Sequence, residues 1–456
     1  MVLKTNEQKA HVGGLPTERE LQDARALEGI SPARAALMQL FDEDTFVETG
    51  AYMTRGFGDY VSCGHENALE GVITGYGAVN GDLVFAFAQD ETRMMGAIDE
   101  NHAKKIMDLY TLALRKGAPV VGMFASSGAF VAEGVKALAS YGKLLKVVSD
   151  ASNEIVQGAY ILGNCVGTSA ALAASFDFVV SNNDVAYYVT NPELGGAPIG
   201  SDTITFKGTQ EQCLGYIRSL LDYLPTEELE CVDTQDDINR RLEGMQDAGA
   251  IDILSAISDM GQYLEITAEY GKELITALTT IAGVKCGVIV GNYEIGDGRI
   301  TSDGASKVAS FLSLCNAYTL PVVTLVDSCG LATDVCANSL CDLAYAYASL
   351  DVPAVTVILQ HAIGASFALL GSKSLGADLV YTIENAEIGV LAADASVAFA
   401  WNDQVDLSVS REELEQKWRS SISTAAAAVA TGEVDDIITM TEIRARIASA
   451  LLMLTC

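Results

Sequence analysis

Two stretches of the chain, GAYILGNCVGTSAALAASF (158–176) and AVTVILQHAIGASFALLG (354–371), decide which folds are open to it. Neither contains a charged residue, and each is close to the ~20 residues that a helix needs to cross a bilayer. Glycine and polar residues interrupt both near the middle, and no cluster of Lys or Arg flanks them. A buried strand, a tight turn and a buried helix fit this pattern better. The sequence therefore predicts no direct membrane span.

The two stretches also resemble each other. ILGNCVGTSAAL (161–172) and ILQHAIGASFAL (358–369) share isoleucine, leucine, glycine, serine and leucine in the same order and spacing. Upstream, the segment 100–121 aligns with 302–323 without a gap, and FVETGA at Phe46 parallels YLEITA at Tyr263. Matches in one order along the chain indicate a duplicated domain.

Each copy predicts the same succession of elements. It begins with an amphipathic helix (103–114; 305–317) and a turn ending in proline, followed by an apolar strand (120–124; 322–326), a Ser/Gly-rich turn and a further helix. A second strand (159–162; 354–359) then ends at a glycine and leads into a helix of small residues. Continuous apolar strands alternating with helices predict an α/β protein of two similar halves, with largely parallel sheets. The acidic segment near 225–249 marks the join, which predicts domains at 1–235 and 236–456.

Composition narrows the function. The 456 residues are 50% hydrophobic and 19% charged, which favours a large buried core over disorder. The formal net charge of −32 disfavours a role in nucleic-acid binding, because the surface repels polyphosphate. No secretory signal is evident in MVLKTNEQKAHVGG (1–14), so we expect a cytoplasmic protein.

The cysteines and histidines do not indicate a metal site. Ten cysteines are scattered without a CxxC pair, and most lie in apolar surroundings, as Cys165 and Cys315 do. We expect buried, reduced thiols. Four dispersed histidines lack the spacing of a zinc site.

The candidate functional positions are Gly167-Thr168 and Gly364-Ala365, each at a strand end just before a helix. Backbone N–H groups at such a place have no intrahelical partner and can hold an anionic oxygen. If the turns at Ser127-Gly128-Ala129 and Cys329-Gly330 lie beside them, each half has a two-donor oxyanion hole. The alternative is a small-residue turn required only by close packing of helix on sheet.

The sequence does not indicate a pair of side chains that could act as nucleophile and base. Ser126 and Ser169 have no histidine nearby in sequence, and His102 has no counterpart in the repeat. Glu133 could act as a general acid or base, but a carboxylate near a helix start is more often a cap or solvated. Chemistry carried by backbone donors and a cofactor would explain the missing side chains.

At this point the chain resembles the biotin-dependent acyl-CoA carboxyltransferases, which include propionyl-CoA carboxylase β subunits and the carboxyltransferase subunits of methylmalonyl-CoA and glutaconyl-CoA decarboxylases. The resemblance covers nearly the whole chain. The segments that carry it are SPARAALMQLFDEDTFVE (31–48), GVITGYGAVNGDLVFAFAQD (71–90), HAKKIMDLYTLALRKGAPVVG (102–122), LDYLP (221–225), SDGASKVASFLSLCNAYTLPVVTLVD (302–327), GSKSLGADLVYTIENAEIGVL (371–391) and GEVDDIITMTEIRARI (432–447).

The resemblance implies two tandem crotonase-like domains (the ββα superhelix) and a homo-oligomer, a dimer or a trimer of dimers. The active site would lie between the first half of one subunit and the second half of another. Ser127, Gly128, Ala129, Gly167 and Thr168 would bind the acyl-CoA and its thioester enolate. Cys329, Gly330, Gly364 and Ala365 would bind biotin. No biotinyl-lysine segment is evident, so biotin would arrive on a separate carrier protein. A biotin carboxylase or a membrane decarboxylase subunit are further candidate partners.

Three departures from the family pattern keep alternatives open. The usual DSGGAR turn reads ASSGAF (125–130), so Phe130 replaces an arginine and Ala125 an aspartate. Thr168 replaces a glycine, and a β-branched residue would be strained there if φ must be positive. We therefore expect a carboxyltransferase of the methylmalonyl/propionyl-CoA type, with a non-catalytic scaffold subunit as the alternative. A crotonase-type hydratase or thioesterase is disfavoured, since those enzymes need one such domain.

Overall fold

The structure is a computed structural model, and it describes residues 18–26, 31–54, 69–224, 234–404 and 409–455. The chain forms two compact units, one of Met1–Pro198 with Gly208–Leu214 and the other of Ile199–Lys207 with Gly215–Cys456. The predicted α/β duplication is confirmed by these units. The predicted boundary between residues 235 and 236 stays a prediction, and residues 225–233 of the acidic join lie outside the described residues.

The first half of the chain forms one eight-stranded sheet. Its strands are β1 (Val47–Thr49), β2 (Val72–Val79), β3 (Asp82–Gln89), β4 (Val120–Ser126), β5 (Gln157–Val166), β6 (Phe178–Asn182), β7 (Tyr187–Tyr188) and β8 (Phe206–Gly208). The helices in this part of the chain are α1 (Glu18–Ala26), α2 (Pro32–Leu40), α3 (Glu100–Lys116), α4 (Val135–Ala151), α5 (Thr168–Ala173) and α6 (Gln210–Tyr223). The strand order is β1-β2-β3-β4-β5-β6-β8, and β7 pairs with β5.

The second unit repeats this plan. Its strands are β9 (Tyr263–Ile266), β10 (Leu274–Ile281), β11 (Val284–Gly291), β12 (Val322–Ser328), β13 (Ala354–Ile363), β14 (Leu379–Ile383), β15 (Glu387–Gly389) and β16 (Asp436–Ile438). Its helices are α7 (Ala250–Ile257), α8 (Ser302–Ala317), α9 (Ala337–Ala348), α10 (Ala365–Leu369), α11 (Ala393–Ala400), α12 (Arg411–Ser421), α13 (Ala425–Val429) and α14 (Ile443–Thr455). The order β16-β14-β13-β12-β11-β10-β9, with β15 on β13, mirrors the first sheet.

Both sheets combine an antiparallel and a parallel part. β1, β2 and β3 pair antiparallel, as do β9, β10 and β11. The pairs that join β3 to β7 and β11 to β16 are parallel. The parallel strands are buried along nearly their whole length, which accounts for the continuous apolar runs in the sequence. The antiparallel part was not predicted from those runs.

The second strand of each repeat is longer than predicted, because it continues past its polar residues to Val166 or Ile363. Gly163 therefore lies inside β5, where a Cβ atom would come within 2.9 Å of Glu91 Oε2 and 3.0 Å of Ala125 Cβ. The pairing register shifts at the same place in both halves, between Phe124 and Ser126 on β4 and between Val326 and Ser328 on β12. Beyond the shift, β5 and β13 end at the turns that precede the short helices α5 and α10.

Helix ends follow from local sequence. Asp99 accepts a hydrogen bond from the His102 N–H at the start of α3, and Gly117 ends that helix in the left-handed region. Helix α10 ends at Leu369, and Gly371 follows with φ 60°. A Cβ atom on Gly371 would lie 2.6 Å from Thr356 Oγ1.

Among the described residues, no helix is long and apolar enough to cross a membrane. Seven described cysteines are free thiols. Four are buried (Cys165, Cys213, Cys286, Cys315), as predicted, whereas Cys336 and Cys341 are exposed. Burial raises the pKa of the Cys165 thiol to about 12. Cys63, Cys231 and Cys456 lie outside the described residues.

Candidate active site

The first predicted position, Gly167-Thr168, joins β5 to α5. Gly167 has φ 63° and ψ −134°, a conformation that is open to glycine and costly for other residues. Its N–H donates to Tyr188 O on β7 at 3.0 Å. Thr168 is the first helical residue, and its φ is not positive. The substitution of glycine by Thr168 therefore brings no backbone strain.

The second predicted position repeats this geometry. Gly364 has φ 60° and ψ −129°, and its N–H donates to Gly389 O on β15 at 2.7 Å. Ala365 begins α10. Neither the Thr168 N–H nor the Ala365 N–H has an acceptor among the described residues. In both halves the glycine thus shapes the turn, and the amide left to bind an anionic oxygen belongs to the residue after it.

The turns after β4 and β12 lie beside these positions. A Cβ atom on Gly128 would be 4.0 Å from Val166 O, and one on Gly330 would be 3.3 Å from Ile363 O. The structure therefore brings together the predicted pairs of turns in each half. The roles assigned to these residues stay predictions. The backbone hydrogen bonds show which of their N–H groups are free to bind an anionic oxygen.

Most amides of these turns are already paired. The Ser127 N–H donates to Met95 O at 2.9 Å, the Gly128 N–H to Ser126 Oγ at 3.2 Å, and the Cys329 N–H to Asp297 O at 3.0 Å. The N–H groups of Ala129 and Gly330 have no acceptor in the described part of the chain. Leu331, which corresponds to Ala129 in the repeat, likewise has an N–H without an acceptor among the described residues. The unpaired amides are therefore Ala129 and Thr168 in the first half, and Gly330, Leu331 and Ala365 in the second.

A buried chain of hydroxyl groups supports the first-half turns. Tyr141 on α4 is hydrogen-bonded to Ser169, and Ser169 Oγ donates to Ser126 Oγ at 2.9 Å. Burial raises the pKa of Tyr141 to about 12, which keeps the phenol neutral at physiological pH. Since Ser126 Oγ accepts from the Gly128 N–H, this chain fixes the turn that presents Ala129.

A cavity of about 810 Å³ adjoins the second-half position. Gly364 and Ala365 form part of its wall, and the rest is mainly apolar. Phe367, Val390, Phe399 and Trp418 contribute apolar side chains to the wall, and Glu433 contributes a carboxylate. The cavity suits a small, largely apolar ring compound with a carbonyl oxygen directed at the amides.

Two side chains considered in the sequence have structural roles. Glu133 Oε2 accepts a hydrogen bond from the Glu100 N–H at 2.9 Å, at the start of α3, which favours the cap over the general acid or base. His102 is fully buried, with Nδ1 3.4 Å from Glu70 Oε1 and Nε2 3.3 Å from Gln89 Nε2. It lies in the core of the first unit.

One polar pair was missed in the sequence. His361 Nδ1 lies 2.8 Å from Asp327 Oδ1, at the ends of β13 and β12. Asp327 directly follows the apolar run 322–326, and His361 lies two residues beyond the run 354–359. Adjacent parallel strands place such residues at the same sheet edge. The sequence therefore shows two polar residues near the ends of neighbouring strands. It does not show the register between β12 and β13 that brings them into contact.

Asp99 gives a prediction about stability. Burial, and next the Glu70 carboxylate, raise the pKa of Asp99 from 3.8 to about 7. A carboxyl group whose pKa is raised on folding contributes stability that is complete below about pH 4 and is lost as the pH rises through about 7. Asp99→Asn cannot ionise and still caps α3, so its advantage over the wild type should widen from pH 4 to 7 and then level off.

The expected gain is on the order of 2–4 kcal/mol in the free energy of unfolding, read from denaturant unfolding at several pH values. The second half supplies the matched control, because Thr301 Oγ1 donates to Glu273 Oε1 at the equivalent position. Asp99→Thr copies that arrangement and should behave like Asp99→Asn. Parallel pH profiles for the wild type and both variants would contradict the pKa assignment.

Comparison with known proteins agrees with this geometry. The carboxyl transferase domain family matches residues 26–215 and 205–455. The α subunit of methylmalonyl-CoA decarboxylase from Veillonella parvula is 31% identical, with 98% of this chain and 94% of that protein covered. The methylmalonyl-CoA carboxyltransferase 12S subunit of Propionibacterium freudenreichii subsp. shermanii is 29% identical, over 99% of this chain and 93% of that protein.

A solved structure is similar along its whole length. The transcarboxylase 12S structure, a hexamer assembly with methylmalonyl-coenzyme A and methylmalonic acid bound, has a TM-score of 0.88 and 27% identity, covering 96% of this chain and 95% of that one. The fold and the paired turns define a crotonase-like carboxyltransferase. The chain belongs to the carboxyl transferase family, and the predicted class, a biotin-dependent acyl-CoA carboxyltransferase, is confirmed.

Proposed function

We propose that the protein moves a carboxyl group between a small acyl-CoA of the methylmalonyl/propionyl type and biotin borne on a separate carrier protein. The observation that carries the proposal is a group of unpaired amides in each half, among the described residues: Ala129 and Thr168 in the first, and Gly330, Leu331 and Ala365 in the second. Carboxyl transfer needs one anionic oxygen held on the thioester and another on the ureide of biotin. Each half offers amides that could hold one of these oxygens.

In the first half, the Ala129 and Thr168 N–H groups would hold the thioester oxygen as it gains negative charge. Fixed donors stabilise an enolate more than the neutral thioester, so they lower the barrier. The hydroxyl chain from Tyr141 keeps the turn in place before substrate arrives. Each donor is worth about 2.7–4 kcal/mol of transition-state stabilisation.

In the second half, Gly330 and Ala365 would hold the ureide oxygen, and the cavity would hold the ring. The residues fit this group, because the walls formed by Phe399 and Trp418 are apolar and Ala365, whose N–H is unpaired, lines the same cavity. When bound, biotin supplies a nitrogen atom that accepts and gives up the carboxyl group. The protein's part is to orient that nitrogen and to exclude water from it.

The acyl group and the assembly are the finer parts of the proposal. Similarity to proteins named for methylmalonyl-CoA and propionyl-CoA supports a short acyl chain. We propose a homo-oligomer, a dimer or a trimer of dimers, in which the first half of one copy meets the second half of another. Exposed apolar side chains next to both turns support such a contact: Val131, Val135 and Leu138 in the first half, and Val390 and Phe399 in the second.

The further partners are the biotin carrier protein, and a biotin carboxylase or a membrane decarboxylase subunit. The direction of transfer depends on which of them is present. A cytoplasmic location remains part of the same proposal. Backbone strain at Thr168 was one reason to consider a non-catalytic scaffold subunit. Because Thr168 is unstrained, that reason no longer applies.

Tryptophan fluorescence tests the assignment of the second-half cavity. The chain has two tryptophans, Trp401 and Trp418. Their rings are in edge-to-face contact, with centroids 4.7 Å apart. Trp418 lines the cavity. Biocytin should therefore change the emission in a saturable way, whereas an acyl-CoA should not. Trp401→Phe retains Trp418 and should retain the response.

Carboxyl transfer itself is measured with biocytin and a panel of malonyl-, methylmalonyl- and glutaconyl-CoA. We expect transfer with methylmalonyl-CoA. A response of the fluorescence to acyl-CoA but not to biocytin would reverse the assignment of the halves. No binding and no transfer with any of these compounds would support the scaffold subunit instead.

A further inference from the structure

A polar cluster occupies the carboxyl ends of β11, β12 and β13 in the second unit. Asp327 Oδ1 accepts hydrogen bonds from the His361 backbone N–H at 3.1 Å and from the His361 ring at 2.8 Å. The His361 ring stacks on Tyr293, with centroids 4.6 Å apart and planes inclined by 18°. Tyr293 also interacts with Cys329, the residue before Gly330. The cluster thus adjoins the turn that presents the unpaired Gly330 amide.

The Asp327–His361 contact fixes the chemistry of the imidazole. A carboxylate that accepts from Nδ1–H leaves Nε2 as the atom able to accept a hydrogen bond or a proton. No described residue pairs with Nε2, and the side chain is 24% exposed. The same arrangement orients the general base in the catalytic triads of hydrolases.

The first half shows that the fold does not require this pair. The same register shift occurs between β4 and β5, where Ala125 and Asn164 stand at the positions of Asp327 and His361. The strand end and the glycine turn form there without an ion pair. The pair is therefore particular to the half that we assign to biotin.

We propose that His361 is the acid–base residue of the second-half site and that its Nε2 exchanges a proton with the ureide nitrogen of biotin. This rests on the proposed function. A ureide carries one oxygen, which needs donors, and N–H groups, which need an acceptor. Gly330 and Ala365 provide the donors, and His361, near the end of β13 and three residues before Gly364, provides the acceptor.

The step balances without another reactant. As the carboxyl group leaves the acyl thioester, the electrons of the broken carbon–carbon bond remain on the thioester as an enolate. His361 Nε2 takes the proton of the ureide nitrogen while that nitrogen forms its bond to the carboxyl carbon. The proton then passes from His361 to the α-carbon of the enolate. In the opposite direction the same transfers run in reverse.

Two substitutions separate the proton from the hydrogen bond. His361→Asn places an amide near Nδ1 and keeps the contact with Asp327, but removes the atom at Nε2. His361→Gln places an amide near Nε2, which accepts a hydrogen bond but not a proton. We expect turnover to fall by about 10²–10⁴-fold in both variants. Biocytin affinity, read without turnover from tryptophan fluorescence, should fall by about 5–10-fold in His361→Asn and stay near wild type in His361→Gln.

Acyl-CoA affinity, measured by calorimetry, should be unchanged in both. Gln360→Asn, at the exposed neighbour on the same strand, is the control and should behave as wild type. Turnover near wild type in His361→Gln would overturn the inference while leaving the proposed function intact. A wild-type protein that neither binds biocytin nor transfers carboxyl groups would overturn the proposed function itself.

A structural role is distinguished by rescue. If both variants melt well below the wild type, His361→Ala is assayed with added imidazole. Restored turnover would support the acid–base assignment, because imidazole replaces the proton carrier and not the packing. Failure of imidazole to restore turnover, together with the loss of stability, would assign the pair to the fold and overturn the inference.

Discussion

Gly364→Val is expected to lower biotin-dependent carboxyl transfer by at least about 10²–10³-fold and to leave acyl-CoA affinity unchanged. Gly364 has φ 60° and ψ −129°, which a β-branched residue does not adopt without strain. A Cβ atom there would also lie 3.1 Å from Val390 O. The turn must move, and the Ala365 N–H moves with it, so the ureide oxygen loses a fixed donor.

Gly376→Val is the matched control. Gly376 lies in the same half with φ 110°, and a Cβ atom on it meets nothing within 4 Å. It carries comparable backbone strain outside the cavity wall. Steady-state transfer to biocytin and calorimetric titration with acyl-CoA give the two readouts. Equal loss of transfer and of acyl-CoA affinity in Gly364→Val would refute the division of labour between the halves.

Gly167→Val should have the reciprocal effect. The strain is the same in kind, since Gly167 has φ 63° and ψ −134°, although a Cβ atom there meets no other atom within 4 Å. The displaced group is the Thr168 N–H, which we assign to the thioester oxygen. Transfer should again fall by about 10²–10³-fold, but biocytin should still change the tryptophan emission as in the wild type.

Gly117→Val serves as its control, because Gly117 has φ 65° at the end of α3 and its Cβ atom would meet nothing within 4 Å. Turnover in Gly117→Val should remain near wild type. If Gly167→Val abolished biocytin binding and Gly364→Val abolished acyl-CoA binding, the assignment would be reversed. The first half would then bind biotin and the second half the acyl-CoA.

The internal repeat made much of this fold predictable. Apolar runs that recur with the same spacing in both halves predicted the strands β4, β5, β12 and β13 and the turns after them. Such runs are visible because parallel central strands are buried on both faces. The positions of Gly167 and Gly364 followed from the same alignment.

The unpaired amides were not predictable in the same way. The N–H groups of Gly167 and Gly364 are taken by carbonyl groups of β7 and β15, short strands of two and three residues without a strong pattern. Sequence alone names the turn but cannot say which of its amides a distant strand will pair. The Asp327–His361 contact was missed for a related reason, since it depends on the register between β12 and β13.

The structure of the protein with biocytin and a non-reactive acyl-CoA analogue would test the central claim most directly. The ureide oxygen should lie within about 3.2 Å of the Ala365 and Gly330 amide nitrogens, and the thioester oxygen equally close to those of Thr168 and Ala129. Either ligand bound away from its pair of amides, with both pairs left to solvent, would contradict the account.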